Sequence, residues 1–176
     1  MKQEIFLIDT NAFISPYRTY YPFDLAPSFW VFLEQSMATG DIVLLDVVYD
    51  EVTKGDDDLS QWLSGVAPQC LKRVQADILA VYKQILNDIQ QATTYTGQPL
   101  YNAKALNEWA KNDIADPWLV ATAKARDYTL VSFESPSGAL GASTLGRVKI
   151  PDEAQKFGVK CCNLFEMMRA LQFQFK

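Results

Sequence analysis

Short apolar segments rich in strand-forming residues alternate along this chain with segments of helical periodicity. Five apolar segments are predicted as strands, at residues 4–8, 42–45, 128–133, 147–151 and 159–163. Parallel strands need long crossover connections, and helices between the strands supply them. The alternation therefore predicts an α/β fold, with a central parallel sheet and helices on both faces.

Local signals set the expected limits of several helices. Residues 28–39 favour a helix that ends at Gly40, and Asp116 before Pro117 predicts a helix with Asp116 as its capping acid. The segment from about 56 to 112 is predicted to contain only helices, with a long one at about 71–91. We call this segment the helical arm, and we expect one domain over residues 1–176 with the arm as an insertion.

The composition excludes several classes of active site. The chain has no His, so Ser-His-Asp, Cys-His and His-base mechanisms are excluded. It has 3 Cys, too few without His for a four-ligand structural zinc site. Its net charge of −5 argues against nonspecific coating of nucleic acid, but it leaves room for local binding through a metal ion.

The hydropathy pattern predicts a protein that does not enter a membrane. No apolar stretch approaches the roughly 20 residues that span a bilayer. The apolar run after the first residues, MKQEIFLID, is too short for a signal peptide. We therefore expect a cytoplasmic location and no membrane partner.

Four acidic residues are predicted to meet at one edge of the sheet. Asp9 follows the first strand and Glu134 follows the third, while Asp116 begins the helix before that strand. Glu51 lies in the helix after the second strand. Because ligands of open parallel sheets bind beyond the carboxyl ends of the strands, these side chains are candidate site residues.

Such a cluster of carboxylates repels itself unless one member is protonated or a cation neutralises it. Oxygen-only sites suit Mg²⁺ or Mn²⁺, which also bind substrate phosphates and activate water for hydrolysis. Each acid alone also has a structural interpretation: Asp9 as a turn residue, Asp116 as a helix cap, Glu51 as a surface acid and Glu134 as a loop acid. Asp113 is a cap or a fifth acid.

Four motifs in this order resemble the PIN domain nucleases, including the VapC-like toxin ribonucleases of toxin–antitoxin systems. They are IDTN at 8–11, Glu51 within VVYDEV, DPWLVATA at 116–123 and SFE at 132–134. Typical toxins of this kind are shorter and carry Asp at the position of Glu134. The resemblance therefore indicates a larger subgroup with extra helices.

The resemblance implies a PIN-like three-layer α/β/α fold and a Mg²⁺- or Mn²⁺-dependent endoribonuclease, the toxin of a toxin–antitoxin pair. Metal binding and catalysis are expected from Asp9, Glu51, Asp116 and Glu134. Thr10, Asn11 and Ser132 are expected to orient ligands or a phosphate, with Asp113 as a further supporting residue. The implied partners are an RNA substrate and a cognate antitoxin protein.

Two other functions stay open at this point. The first is a structure-specific DNA nuclease, and the second is a non-catalytic PIN-like module that binds RNA or protein. Candidate contacts to a nucleic-acid backbone are Lys104, Lys111, Lys124 and Arg126, although solvated helix faces explain them equally well. The helical arm or the tail LQFQFK offers apolar surface for an antitoxin or for a second copy in a homodimer.

Overall fold

A parallel sheet forms the centre of the computed structural model, which describes residues 3–111, 113–138 and 140–175, without the side chain of Gln69. Within these ranges the sheet has five strands in the order β3-β2-β1-β4-β5, and every neighbouring pair is parallel. The strands are β1 (Phe6–Ile8), β2 (Ile42–Leu45), β3 (Leu71–Lys72), β4 (Thr129–Val131) and β5 (Cys161–Cys162).

Helices cover both faces of the sheet, which gives three α/β/α layers. In chain order they are α1 (Asn11–Ser15), α2 (Pro27–Thr39), α3 (Asp46–Val52), α4 (Asp58–Cys70), α5 (Leu79–Gln91), α6 (Ala103–Trp109), α7 (Asp116–Arg126), α8 (Ile150–Lys156) and α9 (Leu164–Ala170). A π-helical turn (Pro16–Tyr20) continues α1, and a 3₁₀ turn (Ala76–Ile78) precedes α5. Within the described residues, no helix is long and apolar enough to cross a membrane.

The order of the strands reverses direction at β1. The chain starts in the middle of the sheet, adds β2 and β3 on one side, and then adds β4 and β5 on the other. Leu7 of β1 pairs with Val43 on one side and with Leu130 on the other. The loops that follow β1 and β4 therefore diverge at the edge, and open α/β sheets bind ligands at such a crevice.

Two helix limits predicted from the sequence are confirmed, and a reciprocal cap marks the start of a third helix. Helix α2 ends before Gly40, which takes the left-handed conformation with φ of 83°. Helix α7 begins at Asp116 with Pro117 behind it. Asn163 caps α9, and Glu166 completes a reciprocal capping box.

The helical arm differs from the prediction at its middle. Leu71 and Lys72 form the edge strand β3 and pair with Leu44 and Leu45 of β2, so the prediction of helices alone is wrong. The predicted long helix begins only at Leu79. The open edge of β2 explains the difference, because two more residues of chain satisfy its backbone groups.

The segment 147–151 does not form the predicted strand. Val148 is buried, but Ile150 already begins α8 and donates its N–H to Glu134 Oε2 at 2.8 Å. Lys149 Nζ likewise binds the carbonyl of Ser135 at 2.8 Å. These contacts join the segment to the loop after β4 rather than to the sheet.

A buried polar contact anchors α8 to the arm. The Tyr101 hydroxyl donates to Glu153 Oε1 at 2.9 Å, and Lys156 Nζ binds the same oxygen at 2.8 Å. Glu153 is fully buried, so these donors offset the cost of removing its carboxylate from water. The anchor thereby fixes the helix whose first residue, Ile150, contacts Glu134.

The carboxylate of Asp46 holds the edge strand in place, which gives a first prediction. Its Oδ1 accepts the N–H of Val47 at 2.9 Å and that of Val74 at 3.2 Å. Asp46→Ala leaves the N–H of Val74 without this partner, so we expect a loss of about 1–2 kcal/mol in the free energy of unfolding. Urea denaturation measures it. Asp50→Ala, an exposed acid on the same helix, is the control, and equal losses in both variants would contradict the assigned contact.

Candidate active site

The four predicted acids lie together at the carboxyl edge of the sheet. Asp9 directly follows β1, and Glu134 lies three residues beyond the end of β4. Glu51 projects from α3, and Asp116 is the first residue of α7. The four side chains are close enough to interact, because the charges of the other three acids all raise the pKa of Asp116.

Asp9 sits in a nearly dry position. Its side chain is 1% exposed, and Ser132 Oγ lies 3.3 Å from its Oδ2 as a hydrogen-bond donor. The Asp9 backbone N–H donates to Val131 O at 3.1 Å, which extends the pairing of β1 with β4. The end of β4 therefore holds Asp9 both by its backbone N–H and by its carboxylate.

Glu51 uses both of its oxygens inside the protein. Oε2 accepts the hydroxyl of Thr10 at 2.5 Å, and Oε1 accepts the backbone N–H of Ala115 at 2.9 Å. Glu51 thus joins the turn after β1 to the start of α7. Thr10, predicted to orient a ligand, is seen here to orient Glu51.

Asp116 does not cap its helix. The capping position belongs to Ala115, and α7 has no side-chain capping bond, so the predicted capping role of Asp116 is wrong. The reason is local: the N–H of Leu119 donates to Ala115 O at 2.9 Å, which makes Ala115 the capping residue and places Asp116 already inside the first turn. The half-buried carboxylate of Asp116 is consequently left for the acidic cluster.

Glu134 is held by the neighbouring helix. Its Oε2 accepts the N–H of Ile150 at 2.8 Å, and its own N–H donates to Ser132 Oγ at 3.2 Å. Ser132 therefore contacts both Asp9 and the backbone of Glu134. No sequence signal pointed to Ile150, because its contribution is a backbone group.

Burial and mutual repulsion disfavour the charged form of these acids. Burial first, and then the charges of Asp9 and Glu134, raise the pKa of Asp116 to about 8. Burial first, and then the charge of Glu134, raise the pKa of Asp9 to about 7, against the bonds from Thr10 and Ser132. Glu51 acts on both in the same direction. No Lys or Arg of the described chain appears among the main influences on the pKa of either group.

Two of the predicted supporting residues have no hydrogen bond to the four acids among the contacts of the described residues. Asp113 is exposed and pairs with Lys54 Nζ at 3.4 Å, and it is not among the main charges that act on Asp9 or Asp116. Asn11 is exposed in the first turn of α1. The structure therefore brings together Asp9, Glu51, Asp116 and Glu134, with Thr10 and Ser132 as their hydrogen-bond donors.

The carboxylate oxygens of the four acids suit a hard divalent cation, although they do not form a complete coordination shell. Within the described residues, no three acidic or cysteine side chains converge closely enough to hold a metal ion. Both oxygens of Glu51 and one oxygen of Glu134 already accept protein hydrogen bonds. Mg²⁺ commonly uses only one or two carboxylates and keeps several waters. Metal binding by the four acids stays a prediction.

Two of the residues predicted to contact a nucleic-acid backbone lie at the end of α7 that is far from the acidic cluster. Arg126 is the last residue of α7, about 15 Å along the helix from Asp116. It binds Asp77 at 2.7 Å and Gln75 at 2.6 Å. Lys124 lies in the same last turn. Neither residue flanks the acidic cluster.

A groove beside the cluster was not predicted. It has a volume of about 700 Å³, and Ser132 and Glu134 line it together with the aromatic rings of Tyr20, Phe133 and Phe165. The only sequence signal was Phe133 within SFE. Tyr20 reaches the groove from the π-helical turn (Pro16–Tyr20).

The raised pKa values predict how stability depends on pH. In the unfolded chain Asp9 and Asp116 ionise near 3.8, whereas in the folded protein their pKa lies near 7 and 8. Between these limits the folded state binds more protons than the unfolded state, so the free energy of unfolding falls as the pH rises. We expect this fall between about pH 4 and pH 8 in buffer with a chelator, measured by urea denaturation.

Asp9→Asn isolates the effect. The variant removes one buried charge, so its melting temperature should exceed that of the natural protein by up to about 10 °C at pH 8, and the difference should shrink as the pH falls towards 4. Asp50→Asn, an exposed acid, serves as the control. Identical pH dependence in the natural protein and Asp9→Asn would contradict the raised pKa.

Comparison with known proteins agrees with this architecture. One chain in a structure of VapBC2 from Rickettsia felis, which is bound to a DNA fragment from the VapBC2 promoter, has a similar fold. The match has a TM-score of 0.50 and 15% sequence identity, and it covers 90% of this chain and 98% of that chain. FitAcB from Neisseria gonorrhoeae gives a TM-score of 0.49 at 17% identity, over 90% and 97%. The VapBC2 match confirms the predicted PIN-like α/β/α fold.

Sequence comparison assigns the family. No curated protein matches the chain. The family model described as a domain of unknown function (DUF4411) matches residues 6–175, which is nearly the whole length. The chain therefore belongs to the DUF4411 family, and its fold is PIN-like.

Proposed function

We propose that this protein is a Mg²⁺- or Mn²⁺-dependent endoribonuclease that hydrolyses RNA phosphodiester bonds. One observation carries the proposal: the buried Asp9 and the half-buried Asp116 meet Glu51 and Glu134 at the carboxyl edge of the sheet, where both have a raised pKa and no Lys or Arg of the described chain is among the main influences on them. A cluster of carboxylates that repel one another is relieved when a divalent cation binds, and perturbed acids of this kind are concentrated at functional sites.

Asp9 and Asp116 are the proposed direct ligands, with Glu51 and Glu134 beside them. Both oxygens of Glu51 accept hydrogen bonds from Thr10 and Ala115, so its proposed role is to position the neighbouring Asp9 and Asp116. A divalent ion bound there would supply a water of lowered pKa and would stabilise the charge of the phosphorane-like transition state.

The chain's own groups organise that site. Thr10 and Ser132 hold Glu51 and Asp9 by their hydroxyls, which fixes the direction of the carboxylate oxygens. The burial of Asp9 lowers the effective dielectric around its carboxylate, which strengthens the charge interactions there. Glu134 lines both the cluster and the open groove, so a substrate in the groove lies within its reach.

The toxin assignment is part of the proposal. The motifs IDTN and DPWLVATA resemble VapC-like toxins, and the fold likeness to VapBC2 supports the same class. A toxin of this kind pairs with an antitoxin protein. Exposed apolar side chains at Leu25, Val31 and Phe175 offer surface for it or for a second copy of the chain.

Removal of a metal ligand tests the reaction. We expect purified protein to cut single-stranded RNA with Mg²⁺ or Mn²⁺ and not with chelator. Asp116→Asn should lower the rate by about a hundredfold or more, because several kcal/mol of charge stabilisation are lost. Glu51→Gln should lower it by about 10- to 100-fold, as positioning residues do.

Asp50→Asn is the matched control, since Asp50 precedes Glu51 on α3 and is exposed. Cleavage that persists with chelator, or in Asp116→Asn, would refute the mechanism. Faster cutting of flap DNA than of single-stranded RNA would favour a structure-specific DNA nuclease. Absence of both cleavage and calorimetric Mg²⁺ or Mn²⁺ binding would favour a non-catalytic module.

A second comparison decides which residue is the fourth acid. Glu134 is among the main charges that act on Asp9 and Asp116, whereas Asp113 is not and pairs with Lys54. We therefore expect Glu134→Gln to lower kcat by about tenfold or more and Asp113→Asn to leave it within about twofold. The reverse order in a cleavage assay would assign the role to Asp113.

A further inference from the structure

Three aromatic side chains form one wall of the groove beside the acidic cluster. Tyr20 comes from the turn after α1, Phe133 from the loop after β4 and Phe165 from the first turn of α9 after β5. The rings of Tyr20 and Phe133 are nearly parallel, at 7° with centroids 6.5 Å apart. Phe165 meets Tyr20 edge-on, at 74° and 6.3 Å. The segments that follow the three neighbouring strands β1, β4 and β5 therefore each contribute one ring to this wall.

The wall is open to solvent, which is unusual for side chains of this size. Tyr20 is 57% exposed and Phe165 is 38% exposed. Exposed aromatic clusters that border a cavity mark binding surfaces more often than isolated apolar residues do. The groove volume of about 700 Å³ lies within the range of small-ligand sites.

The chemistry of the lining selects the kind of ligand. Among the described residues that line the groove there is no Lys or Arg, while Glu134 and Glu166 contribute negative charge. A phosphate group is therefore disfavoured inside the groove. A neutral planar ring with N–H donors fits better, because the aromatic faces accept stacking and the Gln155 amide and the acids accept hydrogen bonds.

Ser132 and Glu134 connect the groove with the acidic cluster. Both residues line the groove, and Ser132 also binds Asp9. A ligand in the groove thus lies beside the place where the proposed function puts the scissile phosphate. In a nucleic-acid chain the group next to a phosphate is a nucleoside.

We propose that the groove formed by Tyr20, Phe133 and Phe165 is a nucleobase subsite, which stacks one unpaired base beside the scissile phosphate. This inference rests on the proposed nuclease function and specifies its substrate as single-stranded. A base within a duplex is stacked on its neighbours and is not free to enter the groove. The aromatic wall replaces that stacking for one splayed base.

Binding of free nucleosides tests the subsite without any cleavage. Adenosine and uridine are titrated against the full-length protein, with saturation-transfer NMR as the readout. Tyr20→Ala and Phe165→Ala should each raise the dissociation constant by about tenfold, within the 5- to 150-fold range typical of lost base stacking. Tyr20→Phe keeps the ring and should restore binding. Phe175→Ala, an exposed aromatic outside the groove, is the control, and thermal melting checks that each variant folds.

A cleavage assay with single-stranded RNA separates this inference from the proposed function. A single abasic site next to the scissile bond should raise KM about tenfold for the natural protein and add little for Tyr20→Ala. Nucleoside binding that depends on Tyr20, without RNA cleavage, supports the subsite and refutes the nuclease function. RNA cleavage with no nucleoside binding and no effect of either alanine variant overturns the subsite but not the nuclease function. That result would instead favour an apolar segment of a protein partner as the occupant of the groove.

Discussion

The two hydrogen bonds of Glu51 connect the parts of the candidate site. One oxygen holds Thr10 after the central strand, and the other holds the N–H of Ala115 before α7. The two contacts join regions that are 41 and 64 residues away from Glu51 along the chain. They set the distance between Asp9 and Asp116, because each acid is the immediate neighbour of a residue that Glu51 binds. The spacing of these two acids therefore depends on the Glu51 carboxylate.

The sequence was most informative where topology alone determines position. Asp9 follows a central parallel strand, so its place at the ligand-binding edge is dictated by the fold. Asp116 was located by its proline and by the apolar helix behind it. The missing histidines restricted the chemistry to oxygen ligands. For these residues, local pattern and global architecture impose the same requirement.

The sequence was least informative where a contact joins distant backbone groups. Strand β3 has only two residues, too few for any periodicity, and it forms because β2 offers an open edge. Glu134 is held by the backbone N–H of Ile150, and a backbone contact of this kind does not depend on which residue occupies position 150. The capping role expected of Asp116 failed for a local reason, because Ala115 accepts the first helical bond, one residue earlier than the proline indicated. Tyr20 depends on a π-helical turn, whose extra residue per turn has no clear sequence signal.

The short outer strands limit how another protein can approach the sheet. In the part of the chain that the structure describes, both edges end in strands of two residues, Leu71–Lys72 and Cys161–Cys162. A pair of residues offers too few free N–H and carbonyl groups to template an added strand. Recognition of this protein by strand addition is therefore disfavoured. A partner chain has to engage side chains on the helices or the grooves, where shape and charge rather than backbone pairing decide which partner fits.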